Sequence, residues 1–172
     1  MTDFTFCPFD GTRLTNPGNG SCPVCPFVDY GNPAPAVGFF LLDGERVLLA
    51  VRAFEPAKGK LDIPGGFIEA GESAEVAVLR EAEEETGLRV SVVEYLGSFA
   101  DVYGEREMPT LSFIYVVRRE SGELQAKDDV AELRWFPLDA IPDELAFAHQ
   151  PAAVQKLREW RVCRAVVAGR LS

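Results

Sequence analysis

From Ala36 onward, short apolar runs alternate with turn residues, and the runs predict strands. Residues 37–42 and 47–52 flank Asp43-Gly44, a hairpin signal. Residues 53–60, with Pro56 and Gly59, read as a polar loop. Leu61-Asp62-Ile63-Pro64-Gly65-Gly66 reads as a strand brought to a sharp stop, and glycines there let the backbone approach a ligand. Between residues 73 and 87 the period changes to that of a helix. Ala74, Ala77, Val78 and Ala82 make one apolar stripe, Ser73 is placed as N-cap, and Gly87 follows as the glycine past the last turn. Residues 90–95 and 96–100 read as two extended pieces, 111–117 as a strong strand and 130–136 as another. Pro151 predicts the first turn of a last helix reaching about residue 167. Strands mixed with two helices predict an α/β or α+β fold in which helices cover a sheet.

The first 30 residues are different. They are rich in Cys, Pro, Gly and Asn, show no amphipathic period, and lead into Asn32-Pro33-Ala34-Pro35, a short stiff linker. The expected organisation is a small element over 1–30 and a main domain over 31–172. The longest apolar stretch, 37–42, is too short to span a bilayer. The start, Met1-Thr2-Asp3-Phe4, has no basic n-region, so a cytoplasmic protein without membrane contact is the expectation. A formal net charge of −10 argues against nucleic acid in a basic groove. It fits a polyanionic nucleotide only if divalent cations carry the phosphates.

The chemistry is concentrated between Gly66 and Leu88. Glu81, Glu84 and Glu85 stand at i, i+3 and i+4, so they share a helical face. Three like charges there repel, and a cation among them relieves the repulsion; carboxylate oxygens suit Mg²⁺ or Mn²⁺. The alternative is a solvated acidic helix face. Glu72 and Arg80 are placed to pair and tie the entry loop to the helix. The full spacing separates the two readings. Gly66, Glu72, Arg80, Glu81, Glu84, Glu85 and Gly87 are seven fixed identities, which ordinary residue frequencies of about 5–7% produce on the order of once in 10⁸ starts.

That segment resembles the signature of the Nudix hydrolases at every fixed position. The resemblance implies an α/β/α sandwich with a mixed sheet, the signature forming a loop–helix–loop. It also implies Mg²⁺ or Mn²⁺ dependence and water attack on a phosphoanhydride of a nucleoside diphosphate linked to a group X. By position, Glu81, Glu84 and Glu85 fall on the family's metal ligands and the Gly65 carbonyl on a backbone ligand, with Arg80 and Glu72 completing the catalytic segment. The general base stays open among Glu105 and Glu107 on a loop over 101–110, and Asp128, Asp129 and Glu132 before the late strand. Arg52, Lys58 and Lys60 are candidates for phosphate contact or plain loop charges. Gly65, Gly66 and, more weakly, Tyr103 complete the substrate-binding set.

Cys22-Pro-Val-Cys25 has the spacing of a zinc knuckle, and Cys7-Pro-Phe-Asp10 looks like a second knuckle with Asp for its second Cys. The segment resembles the zinc ribbon that precedes the catalytic domain in pyrophosphatases acting on NADH. It departs at Asp10 and at Pro26, where a glycine is usual. Two readings stay open: a structural Zn²⁺ on Cys7, Asp10, Cys22 and Cys25, or a ribbon held by packing of Phe4, Phe6, Phe9 and Phe27. Cys163 is expected to be a buried small hydrophobe, and His149, before Pro151, a surface residue flanking the helix.

For X, the resemblance favours an ADP-containing dinucleotide or nucleotide sugar such as ADP-ribose or NADH. The S-Q-P-W-P-F-P stretch of the NADH enzymes is missing, and Tyr103 falls sixteen residues past Gly87, where dinucleoside polyphosphate hydrolases carry a tyrosine. Phe67, Phe99 and Tyr103 are candidates for stacking an adenine. A nucleoside triphosphate pyrophosphohydrolase and a non-catalytic nucleotide-binding module are the alternatives. The N-terminal segment is a candidate homodimer contact or lid.

Overall fold

The computed structural model describes residues 4–169. The chain divides into two compact units, residues 1–34 and 35–172.

The first unit is built on two tight turns, each closed by one antiparallel bridge, Phe6 with Arg13 and Ser21 with Val28. Cys7, Leu14 and Cys22 are its buried residues, with Cys25 and Phe27 packed against them. Phe4 and Phe9 meet Phe27 edge-on at 5.8 and 5.7 Å between ring centres. So few apolar side chains make a small core.

The second unit holds β1 (Ala34–Asp43), β2 (Arg46–Arg52), β3 (Leu61–Asp62), α1 (Ala74–Thr86), β4 (Leu88–Tyr103), β5 (Met108–Gly122), β6 (Val130–Pro137) and α2 (Gln150–Gly169). The strands form a mixed six-stranded sheet in the order β3-β2-β1-β5-β4, with β6 also paired to β2. Alternation along the central strands explains the two helical layers. Val37, Phe39 and Leu41 of β1, Leu48 of β2, and Tyr115 and Val117 of β5 pack with Ala77, Val78 and Ala82 of α1. Their neighbours Phe40, Val47, Leu49, Ile114 and Val116 pack with Ala153, Val154 and Leu157 of α2. Both faces are covered, so these strands read as unbroken apolar runs. The α/β/α sandwich follows.

The helix ends form as expected. The Ser73 hydroxyl accepts from the Val76 N–H, and Gly87 takes φ +69°. The hairpin is displaced by one residue: Asp43 pairs Arg46, so Gly44 and Glu45 are the loop, and the positive φ falls on Gly44 at +62°. The two pieces expected over 90–100 are one strand, β4, whose register against β5 shifts at three places. Gly97, at φ +146° beside one shift, gives the sequence its turn-like look without ending the strand. The loop expected over 101–110 is a short turn between β4 and β5. Cys163 is exposed on α2, not buried. Among the described residues no helix is long and apolar enough to cross a membrane.

Candidate active site

The turn after β3 is held against β1 by backbone hydrogen bonds. Val37 N–H donates to the Gly66 carbonyl at 2.8 Å, Phe39 N–H to Pro64 at 2.9 Å, and Ile68 N–H to Pro35 at 3.0 Å. Two glycines sit there, Gly65 against backbone and Gly66 against the end of a flexible side chain. At Gly65, φ is +147° and a Cβ would lie 2.1 Å from the Val37 carbonyl oxygen. At Gly66 a Cβ would lie 2.4 Å from Glu81 Oε1. The glycine turn and the acidic helix are therefore in direct contact. The Gly65 N–H completes the junction by donating to Glu85 Oε2 at 2.7 Å.

Arg80 organises the entry loop. Its Nε and Nη2 donate to the two oxygens of Glu72 at 2.8 and 2.9 Å, a bidentate pair. Nη2 also donates to the Phe67 carbonyl at 3.0 Å. Nη1 donates to Glu81 Oε1 and Glu84 Oε2, each at 2.8 Å. The guanidinium holds the Glu72 carboxyl at a pKa of about 2, aided by the Glu69 N–H. Arg80 Nη1 thus bridges Glu81 and Glu84, and among the described residues these two and Glu85 do not form a group of converging ligand atoms. Glu84 is half-exposed, while Glu81 and Glu85 are buried.

The buried acids are under electrostatic stress. Burial pushes Glu85 well above its ordinary value, and the neighbouring carboxylates Asp129, Glu81 and Asp62 push it further. Burial also raises Glu81, opposed by Arg80, and raises Asp62, opposed by Arg52 and Gln150. Asp129 reaches this cluster because the 124–129 segment hangs from the end of α1. There Gln125 N–H donates to Thr86 at 2.9 Å and Lys127 N–H to Glu85 at 3.0 Å. Hard oxygen donors crowded in low dielectric are the donor set that suits Mg²⁺ or Mn²⁺.

Beside this cluster lies a cleft of about 120 Å³. Gly65, Gly66, Asp129 and Asp62 line it, as do Phe67, Tyr103 and Phe147. Tyr103 stacks on Phe147 with ring centres 5.6 Å apart and meets Phe67 edge-on at 5.2 Å. Arg52 lies over Phe147 at 5.1 Å. Its donors bind Asp62 at 2.7 Å and the Pro56 carbonyl at 2.7 Å, so Arg52 is built into the wall. Lys60 pairs with exposed Glu144, and Lys58 is also exposed. Glu105, Glu107, Asp128 and Glu132 are exposed and outside the lining, which leaves Asp129 as the carboxylate from the sequence candidates that lines the cleft. Phe99 lies at the edge of the α2-side core and packs on His149, 6.2 Å between ring centres.

Sequence reasoning missed Phe147, His149, Gln150, Asp62 and Asp101. His149 is not a surface residue: its ring is nearly enclosed, lines the cleft, and lies 2.7 Å from Asp101 through Nδ1. The segment carrying these residues is fastened by the Ala146 N–H to the Leu61 carbonyl at 2.7 Å and by Gln150 Nε2 to Asp62. No periodicity marks that segment.

In the first unit, Cys7, Asp10, Cys22 and Cys25 bring one ligand atom each within 4.8 Å of one another. Cys7 and Cys25 sulfurs are 3.5 Å apart, and Cys22 Sγ is 3.4 Å from Asp10 Oδ2. The Val24 and Cys25 N–H groups point at Cys22 Sγ at 3.4 Å, so one knuckle supplies sulfur hydrogen bonds despite Pro26. The Cys25 thiol is pushed up to about 12: a Phe27 backbone hydrogen bond lowers it, but burial and neighbouring Cys7, Cys22 and Asp10 outweigh that.

Comparison with known proteins agrees with this geometry. The NUDIX domain family profile matches residues 32–157. An ADP-ribose pyrophosphatase from Methanocaldococcus jannaschii is 36% identical over 132 residues, 77% of each chain. The NAD-capped RNA hydrolase NudC from Pseudomonas aeruginosa is 35% identical over 141 residues, 80% of this chain and 49% of NudC, so the chain spans about half of that relative. Among solved structures, a NUDIX hydrolase from Nitrosomonas europaea superposes with a TM-score of 0.66 at 27% identity, covering 87% of this chain and 88% of that one. The NUDIX domain of Shewanella oneidensis NrtR, complexed with ADP ribose, gives 0.61 at 27% identity over 74% and 88%. With the fold, the intact signature and a profile match over most of its length, this chain belongs to the NUDIX family of hydrolases.

Proposed function

We propose that the protein hydrolyses the phosphoanhydride of a nucleoside diphosphate linked to X, with an ADP-containing nucleotide sugar or dinucleotide as substrate and ADP-ribose as the first choice. The observation that carries this is the adjoining of three things: the glycine turn, the stressed carboxylates of α1, and an aromatic-lined cleft. The ADP-ribose pyrophosphatase that matches over 77% of both chains supports the adenine nucleotide.

Glu81 and Glu85, with the Gly65 carbonyl, would hold a divalent cation, and Glu84 joins once Arg80 releases it. When bound, Mg²⁺ or Mn²⁺ neutralises the diphosphate and activates water. The chain's own work is placement and proton transfer. Asp129, held beside Glu85 at the cleft wall, accepts the proton of the attacking water. The water oxygen bonds to phosphorus, the bridging P–O bond breaks, and the leaving phosphate departs with the bridging oxygen. Arg80 keeps the loop closed on α1 through Glu72.

The test is a panel of nucleoside diphosphate derivatives and triphosphates assayed with Mg²⁺ and Mn²⁺, with products identified. AMP plus ribose 5-phosphate from ADP-ribose is expected. NMP plus pyrophosphate from triphosphates alone would replace this reading with a nucleotide-pool pyrophosphohydrolase. That second reading is favoured by 39% identity to a putative mutator protein MutT4 of Mycobacterium tuberculosis over 98 residues.

Cys7, Asp10, Cys22 and Cys25 would hold a structural zinc, all four positions being filled by protein and none left for water. About one zinc per chain is expected by elemental analysis after zinc-replete expression, falling to none in Cys22→Ser. A metal-free wild-type protein would leave the first unit held by packing of Leu14, Phe27 and the cysteines.

A further inference from the structure

The Asp101–His149 pair has no part in the chemistry above, yet it is built with care into the cleft wall. Asp101 Oδ2 accepts from the His149 backbone N–H at 2.9 Å and lies 2.7 Å from His149 Nδ1. Its other oxygen accepts from the Val102 N–H at 2.8 Å. These hydrogen bonds outweigh burial and hold Asp101 below the usual carboxylate range, so it is an anion and an acceptor only. In the tautomer that donates Nδ1–H to Asp101, Nε2 carries the lone pair. His149 makes its side-chain hydrogen bond through Nδ1, Nε2 has no hydrogen-bond partner among the described residues, and the residue lines the cleft. The ring is fixed on its other side by Phe99, 6.2 Å between centres.

The next residue repeats the same polarity. Gln150 gives its Nε2 to Asp62, whose other oxygen accepts from Arg52 at 2.7 Å. The amide cannot turn over without setting its oxygen against that carboxylate. Gln150 Oε1 is left as a buried acceptor with no partner. An unpaired buried acceptor is costly. His149 thus offers an acceptor at the cleft and Gln150 holds a buried one, while Phe67, Tyr103 and Phe147 line the cleft together with Arg52, Thr110 and Ser112. Phe67 is 38% exposed and offers open ring surface.

We infer that this wall is a nucleobase subsite that selects a 6-aminopurine, with His149 Nε2 as the specificity-determining acceptor for the exocyclic amine. Adenine presents N–H donors at that position, where a 6-oxopurine presents an acceptor. This deepens the hydrolase reading and rests on it.

The test compares kcat/KM for ADP-ribose and for its hypoxanthine counterpart, with Mn²⁺, in wild type, His149→Phe and His149→Gln. Wild type is expected to favour the adenine substrate at least about 10-fold. His149→Phe keeps a ring but has no acceptor, and the preference should fall below about 3-fold. His149→Gln, whose amide rotates to offer either oxygen or N–H, should do the same chiefly by gaining on the hypoxanthine substrate. A purely structural role lowers both substrates together and leaves the ratio unchanged; that result, or a wild type without preference, overturns the inference while the hydrolase reading stands. If wild type cleaves neither substrate nor any other nucleoside diphosphate derivative, the hydrolase reading itself is lost and the subsite with it.

Discussion

Replacing Glu85 by glutamine is expected to lower turnover at least about 100-fold on any substrate the parent cleaves, with the fold intact. The carboxylate is buried, accepts the Gly65 N–H at 2.7 Å, and faces Asp129 and Glu81. Glutamine keeps the size and an oxygen for the Gly65 N–H, so the turn remains seated. It removes the anion proposed to hold a divalent cation. Glu84→Gln should cost less, since that side chain is half-exposed and shares its partner Arg80 with Glu72 and Glu81. Steady-state kinetics beside circular dichroism measures both. A Glu85→Gln enzyme running near the parent rate means that the metal assignment is wrong.

The same carboxylates set the pH dependence of the metal-free protein. Glu85, Glu81 and Asp62 are all raised in the fold, mainly by burial. A carboxyl that holds its proton more tightly when folded contributes stability that is full below its unfolded value. That contribution is lost as pH rises from the unfolded value through the folded one. For Glu85 the loss begins near 4.5 and extends well above it. Glu72, lowered to about 2, works in the opposite direction and is already fully contributing above that window. Without metal, wild type and Glu85→Gln should therefore melt close together near pH 4.5. At pH 7.5 the variant should be more stable, by at least about 3 °C at roughly 2–4 °C per kcal/mol for a chain of this size. Mn²⁺ at a hundred times its dissociation constant contributes about 2.7 kcal/mol to wild type and should reverse the order. Equal melting temperatures at both pH values without metal would show that Glu85 carries no buried charge strain.

The parts of the fold written in the sequence are those fixed by neighbours in the chain. Ser73, Gly87 and the Ala77–Val78–Ala82 stripe define α1 because capping and helical spacing are local. Pairing of Glu72 with Arg80, and contact of Gly66 with Glu81, follow once loop and helix meet. What depends on distant segments was not legible. In the sequence Asp129 is indistinguishable from Asp128 and Glu132; what sets it apart is that the 124–129 segment hangs from the end of α1. Phe147, His149 and Gln150 enter the cleft through contacts with Leu61, Asp62 and Asp101, and no period or turn signal in 141–150 reports those contacts. The three register shifts in β4 made one strand look like two, because a bulge and a turn use the same glycine. Cys163 was misplaced because cysteine is commonly buried, whereas here it faces outward on α2.

A calorimetric titration of metal-free protein with Mn²⁺, with and without AMP, addresses the central claim most directly. Saturable uptake by wild type that disappears in Glu85→Gln is the predicted result. An absence of heat in wild type under either condition, with the protein folded, would contradict the account.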